Sequence, residues 1–174
     1  MKLASICLLF AILPCGAAFA QKSKNPVSDV AREILASRQK SMIDAVDEMP
    51  ADKFNYKPTQ QQMTFGHLVA HMIASNNELC SKAADMAPPR AKQIDENSPK
   101  DKLLAALKDS FTFCTAALAK ADDSKLSDNV ELHGGHQGPR AFVFFALTND
   151  WADHYSTAAM YLRLNGLLPP TAKK

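Results

Sequence analysis

Two histidines and one carboxylate are the residues of this sequence whose types and spacing could do metal chemistry. Asp150 and His154 are four residues apart, and His71 lies in an earlier apolar segment. On a helix, residues four apart project from the same face, one turn from each other. Imidazole and carboxylate groups bind divalent metals, and three such ligands leave positions open to water or substrate. If the fold brings His71, Asp150 and His154 together, these three residues could therefore hold a divalent metal.

Two alternatives to this metal site remain open at the level of sequence. His154 falls in the middle of an apolar helical face and Asp150 at its edge, where an ionisable pair needs a partner. A hydrogen bond between Asp150 and His154 would meet that need without any metal. His67 and His71 are also four residues apart and could bind a metal at the surface by themselves, which we favour less.

The sequence gives little support for other kinds of catalytic site, or for nucleic-acid and membrane partners. The sequence contains no G-x-S-x-G segment, no phosphate-binding loop, no dinucleotide fingerprint and no Cys-x-x-Cys pair. The formal net charge of +2 gives no electrostatic footprint for nucleic acid or for an anionic membrane. We therefore expect no nucleic-acid partner and no stable membrane association.

Residues 1–20 have the pattern of a cleaved signal peptide. The apolar run at 3–13 follows a positively charged start and is too short to span a bilayer comfortably. Ala18 and Ala20 match a small-x-small cleavage site. Processing as a lipoprotein at Cys15 is disfavoured, because a proline replaces the small residue expected before it. We expect export to the periplasm or beyond the cell.

The cysteine inventory agrees with export. Cys7 and Cys15 would leave with the leader, so that Cys80 and Cys114 remain. Disulfides persist in oxidising compartments, which favours a bond between these two. The alternative is two buried free thiols, which behave as small hydrophobic groups.

Four amphipathic patterns cover nearly all of the remaining chain and predict an all-α four-helix bundle. A disordered lead-in at 21–27 precedes the bundle at 28–170, and 171–174 form a tail. No segment alternates in the manner of a strand, and we expect no sheet. His133 and His136, in the glycine-rich loop at 132–138, are interpreted as turn residues. The predicted helices are 28–47, a second one capped by Thr64 and stopped at 88–89, a third opened by Ser98 and running to about 118, and 139–165.

The two cysteines also predict the topology. Cys80 follows Thr64 by sixteen residues, and Cys114 follows Ser98 by the same number. Equal distances from two helix starts place the sulfurs at one height only if these helices run parallel, since an antiparallel hairpin would separate them by about 15 Å. A disulfide therefore predicts up-down-down-up order.

Several segments together resemble the DinB-like superfamily of four-helix-bundle metalloproteins. They are residues 49–51 (MPA), 56–59 (YKPT), 63–71 (MTFGHLVAH), 150–155 (DWADHY) and 161–170 (YLRLNGLLPP). The resemblance implies up-down-down-up order and a divalent metal bound by one histidine of the second helix and a His-x-x-x-His pair of the fourth. His71 and His154 match two of those positions, and Asp150 replaces the third histidine. Two histidines with one carboxylate suit zinc, nickel, manganese or iron.

The resemblance implies a hydrolase or transferase in which the metal activates water or polarises a carbonyl. Related transferases use small cytoplasmic thiols, which an exported protein would not meet in quantity. The alternative is a non-catalytic helical bundle that binds a ligand or partner without metal. A small-molecule ligand and a homodimer are the partners that the sequence leaves open.

Overall fold

The chain folds into four long helices joined by turns and one small hairpin. The structure, a computed structural model, describes residues 23–90 and 93–173, so the predicted signal peptide lies outside it. The helices are α1 (Pro26–Glu48), α2 (Phe65–Ala84), α3 (Lys100–Leu118) and α4 (Arg140–Leu164). Short 3₁₀ turns occupy Ala51–Lys53, Asp123–Lys125, His133–Gly135 and Pro170–Ala172. Within the described ranges, no helix has the length and apolarity needed to cross a membrane.

α2 and α3 run parallel, as the cysteine spacing predicts. The Asn76 side chain donates a hydrogen bond to Ser110 Oγ at 2.9 Å. One turn further along both helices, Cys80 and Cys114 are joined by a disulfide, with their Cα atoms 5.2 Å apart. Because both residue numbers of a pair rise together, the two helices point the same way.

α4 runs antiparallel to α2, since the residue numbers of their contacts change in opposite directions. Trp151 Nε1 donates to Asn76 Oδ1 at 2.8 Å. Towards the other end of the pair, the buried Arg140 guanidinium donates to the Lys82 carbonyl in the last turn of α2. This arginine supplies a donor to a carbonyl that the helix end leaves without an intrahelical partner.

α3 is likewise antiparallel to α1. Arg32 near the start of α1 donates to the Leu118 carbonyl at 2.7 Å, and Lys100 at the start of α3 donates to the Asp47 carbonyl. Since α2 and α3 point the same way, the order is up-down-down-up, and the predicted four-helix bundle is confirmed. The largest fully buried side chains of the core include Trp151, Tyr161, Phe65, Phe111, Met42, Leu107 and Leu147.

α1 begins earlier than the sequence predicts, so the predicted disordered lead-in at 21–27 is wrong for its last residues. Pro26 occupies the first turn, where its missing N–H costs nothing. The carboxylate of Asp123 accepts hydrogen bonds from the Val27 and Ser28 amides at 2.7 and 3.0 Å. The free donors of the helix start are thus satisfied by a residue far away in sequence.

The expectation of no sheet is also wrong in one detail. Strands β1 (Asn129–Glu131) and β2 (Gln137–Pro139) pair antiparallel on either side of the turn at 132–136, so β2 takes up the end of the predicted loop. Gly134 and Gly135 adopt φ values of 77° and 79°, which the reversal of the chain requires and which side chains disfavour. Three-residue strands are too short to show an alternating pattern in the sequence.

The start of α3 differs slightly from the prediction as well. α3 begins at Lys100, with Pro99 rather than Ser98 at the cap position. The Ser98 hydroxyl instead accepts a hydrogen bond from the Asp95 amide at 3.1 Å. Ser98 therefore closes a turn of the preceding segment.

We expect replacement of both Cys80 and Cys114 by alanine to lower the free energy of unfolding by about 3–4 kcal/mol, because the bond closes a loop of sequence separation 34 in the unfolded chain. Urea denaturation of the oxidised protein and of the double variant measures the difference. Thiol titration of the denatured, unreduced protein should find no free thiol at these two positions, and detection of two would contradict the bond.

Candidate metal centre

Asp150 and His154 form the buried half of the candidate site. Both lie on α4, where their four-residue spacing places them one above the other on the side facing α2. His154 Nδ1 lies 3.0 Å from Asp150 Oδ2, and the two side chains are 8% and 19% exposed. A carboxylate that binds one ring nitrogen fixes the orientation of the imidazole and raises its basicity as a ligand.

His71 approaches this pair from α2 and completes a three-residue cluster. The rings of His71 and His154 have centroids 4.9 Å apart and meet edge to face at 77°. One potential ligand atom from each of His71, Asp150 and His154 lies within 4.8 Å of the others. The structure thus brings together the three residues that the sequence singled out. Because His71 is exposed, the cluster is closed on the side of the core and accessible from the surface.

The three residues fit a divalent ion in their chemistry, and they lie close to the spacing that such an ion needs. Ligand bonds of about 2.0–2.2 Å place neighbouring donors of a tetrahedral site roughly 3.4 Å apart. One potential ligand atom from each residue lies within 4.8 Å of the others, a span wider than that spacing. Two imidazoles and one carboxylate suit zinc, nickel, manganese or iron.

The start of α2 is held in place by a close packing of backbone on backbone. Thr64 caps the helix by accepting a hydrogen bond from the His67 amide at 3.0 Å. Gly66 lies so close to the loop at 95–97 that a Cβ atom there would sit 2.4 Å from the Glu96 carbonyl oxygen. Only glycine permits this approach, which brings the Glu96 side chain onto the same face of α2 as His67.

His67 has a different environment from His71. Its Nδ1 binds the Glu96 carboxylate, and His67 is not part of the three-residue cluster. His67, Ala70 and His71 nevertheless line one surface depression of about 410 Å³, which the segment 95–97 borders. His136 is exposed in the turn between β1 and β2. The depression therefore lies on the open side of the cluster, next to His71.

Asn76 is the residue next to the site that sequence reasoning did not single out. It is 1% exposed, and both ends of its amide are used, by Trp151 of α4 and by Ser110 of α3. Ser110 Oγ in turn donates to the Leu107 carbonyl at 2.8 Å. The signal in the sequence was an asparagine within the apolar stripe of the second helix. Buried amides in such positions are normally hydrogen-bonded, and here the bonds tie three helices together.

Comparison with known proteins identifies the family. Residues 34–158 match the DinB superfamily, and the chain belongs to it. No curated protein matches the chain in sequence.

Solved structures share the fold at low sequence identity. A DinB-like protein from Bacillus subtilis is 16% identical with a TM-score of 0.66, covering 83% of this chain and 99% of its own. A DinB-like protein from Bacillus cereus is 13% identical with a TM-score of 0.67, covering 82% and 95%. A mycothiol-dependent maleylpyruvate isomerase is 14% identical with a TM-score of 0.59, covering 74% of this chain and 59% of its own length. At these identities the similarity establishes the fold.

Replacement of Asn76 by leucine should lower the free energy of unfolding by about 2–4 kcal/mol. The substitution leaves the buried Trp151 N–H without its acceptor and removes the bond to Ser110. Urea denaturation measures the loss. The double variant Asn76→Leu/Trp151→Phe should lose less free energy of unfolding than the two single variants added together, because it contains no unpaired indole N–H. Strict additivity of the two substitutions would contradict this coupling.

Replacement of Gly66 by alanine should destabilise the protein by about 1–3 kcal/mol, because the new methyl group overlaps the Glu96 carbonyl oxygen. Thermal unfolding provides the measurement. Ala70→Gly, on the same helix, is the control for helix propensity and should cost about 1 kcal/mol or less. If Gly66→Ala were neutral, the close approach of the loop to α2 would be wrong.

Proposed function

We propose that this protein binds one divalent transition metal through His71, Asp150 and His154, and that the metal serves hydrolysis or group transfer on a small molecule. The observation that supports the proposal is the position of His71. Asp150 and His154 share one helix and meet by their spacing alone, whereas His71 comes from another helix and lies at 4.9 Å ring distance. Membership of the DinB superfamily supports the same conclusion.

The residues of such a site would have different roles. The Asp150 carboxylate holds the His154 ring in one orientation from within the bundle. α2 brings the His71 imidazole from the surface side, next to the depression through which a substrate would approach. A bound divalent metal would supply Lewis acidity, which polarises a carbonyl or lowers the pKa of a coordinated water.

We also propose that the protein works outside the cytoplasm. The support is the disulfide between two fully buried cysteines, a feature of oxidising compartments, together with the leader pattern of the sequence. One fold relative is a mycothiol-dependent enzyme. A small intracellular thiol would be scarce in such a compartment, so we do not extend that cosubstrate to this chain.

A second candidate function is a metal-free bundle that binds a ligand or partner without catalysis. It is favoured by one observation, the direct hydrogen bond between Asp150 and His154 at 3.0 Å. In that case the two polar groups satisfy one another, and no ion is needed to compensate for their burial. The two functions differ in what His71 does, and this difference allows a direct test.

Metal analysis of protein prepared without a histidine tag decides between them. After incubation with zinc and removal of the excess, we expect about one ion per chain. His71→Ala and His154→Ala should each weaken zinc binding at least about a hundredfold, since even loss of outer-shell partners costs 10- to 100-fold. His67→Ala, one turn away on α2, is the matched control and should retain the metal.

Two results would contradict the metal site. The first is an absence of stoichiometric metal in the unsubstituted protein with zinc, nickel, manganese and iron(II) alike. The second is a His71→Ala variant that binds as tightly as the unsubstituted chain, which would reduce the site to the Asp150–His154 pair.

A further inference from the structure

The solvent side of α4 carries large apolar side chains, although the opposite side of the same helix is buried in the core. Seven large hydrophobic residues are exposed in the described part of the chain, and four of them lie on α4: Phe142, Phe145, Met160 and Leu164. α1 has one, and the described residues of α2 and α3 include none. Because a helix that is apolar all round is normally buried all round, α4 needs a partner on its outer side.

The exposed residues of α4 form one continuous stripe. Its members are three or four residues apart, so they project from the same side of the helix. They fall within an arc of about 120° at 100° per residue. We name this surface the α4 stripe, and it consists of Phe142, Phe145, Asn149, Ala152, Ser156, Met160 and Leu164.

The α4 stripe is large enough for a stable interface between two copies of the chain. Phe142 and Phe145 are 54% and 66% exposed, and Met160 and Leu164 are 43% and 53% exposed. With about 200 Å² for a fully exposed large side chain, these four leave roughly 430 Å² of surface per chain. Two copies would bury about 860 Å² from these residues, and the smaller exposed side chains between them bring the total towards the roughly 1,200 Å² of stable interfaces.

We propose that the α4 stripe binds the α4 stripe of a second copy of this chain in an antiparallel two-fold dimer. A two-fold axis places each residue opposite one that is equally far from the axis on the other side. With the axis between Ala152 and Asp153, Phe145 lies opposite Met160 of the second copy. Phe142 then lies beside Leu164 of the second copy, so the apolar side chains of the stripe contact one another.

The centre of this interface has the side chains that close packing of two helices needs. Ala152 and Ser156 are small and lie next to the axis, and Asn149 lies opposite Ser156 of the second copy, where the two side chains can form a hydrogen bond. Phe145 and Met160 are about 11 Å from the axis at 1.5 Å per residue. A crossing angle of about 20° keeps two helices in contact over that distance.

The charges favour a second copy over a membrane surface as the partner. The exposed charged residues of α4 are Asp153 and Arg163, one of each sign. Helices that lie on membranes usually carry several Lys and Arg residues on their polar side. The formal net charge of the chain is only +2, so electrostatic repulsion between two copies is weak.

The dimer does not depend on the proposed metal. Asp150 and His154 project from α4 towards α2, whereas the α4 stripe lies on the solvent side of the helix. Association can therefore be measured on metal-free protein, and its failure would leave the metal proposal untouched.

Sedimentation velocity of the disulfide-bonded, metal-free protein measures the association. We expect a dimer with a dissociation constant on the order of micromolar. Phe145→Lys and Met160→Glu should each weaken it at least about a hundredfold, because each substitution enters a two-fold interface twice. Val30→Lys is the matched control, since it alters a 53% exposed apolar residue of α1 and should leave the dissociation constant unchanged.

A mixture of the Phe145→Lys and Met160→Glu variants tests the antiparallel register. In a mixed dimer, the introduced ammonium lies opposite the introduced carboxylate on one side of the axis, and the original contact of Phe145 with Met160 is kept on the other. The mixture should therefore associate at least about tenfold more tightly than either variant alone. Circular dichroism of each variant verifies that it is folded.

Four outcomes would overturn the proposal. Unsubstituted protein that remains monomeric at about 100 μM would show that the stripe does not bind a second copy. Monomeric protein that binds phosphatidylcholine vesicles, and loses this binding with Phe145→Lys, would assign the stripe to a membrane surface. A dimer that survives both Phe145→Lys and Met160→Glu would use another surface. A mixture that associates no more tightly than its components would exclude the antiparallel register.

Discussion

The relative register of three helices depends on one buried amide. Asn76 accepts from Trp151 of α4 and donates to Ser110 of α3, and the disulfide lies one turn beyond. His71 precedes Asn76 by five residues and His154 follows Trp151 by three. Since α2 and α4 are antiparallel, both steps lead towards the same end of the bundle and differ in height by only about 3 Å. The hydrogen bond that fixes the register therefore also fixes the relative positions of His71 and His154.

Much of this arrangement could be predicted because it follows from the spacing of residues along the sequence. Four apolar stripes of helical period define the bundle, and equal distances of Cys80 and Cys114 from their helix starts identify α2 and α3 as parallel. The same geometry makes Asp150 and His154 neighbours on α4. Placing His71 beside them required the resemblance to the superfamily, because side-chain reach alone leaves several residues of α2 as candidates.

Two of the features that escaped prediction depend on partners distant in sequence, and the third is a hairpin of very short strands. The first turn of α1 is capped by Asp123, which no pattern near Pro26 could reveal. The segment at 129–139 forms a hairpin through two glycines with positive φ, although its strands are too short to show alternation. Glu96 reaches His67 only because Gly66 lets two backbones approach. The sequence contains the residues of such contacts but does not show which of them pair with each other.

Two adjacent residues of α2 show why residue type alone does not reveal function. Asn76 and Asn77 have the same side chain, but successive residues are rotated by about 100° around a helix. Asn76 therefore lies in the core, whereas Asn77 lies at the pocket between α2 and α3. The first is fully hydrogen-bonded and holds the fold, whereas the second keeps a buried acceptor without a donor. The histidines divide in the same way, since His154 is anchored by Asp150 inside the bundle and His71 lies exposed opposite it. In both pairs, the residue inside the bundle is held by hydrogen bonds within the core, and the other residue lies nearer the outer face of α2.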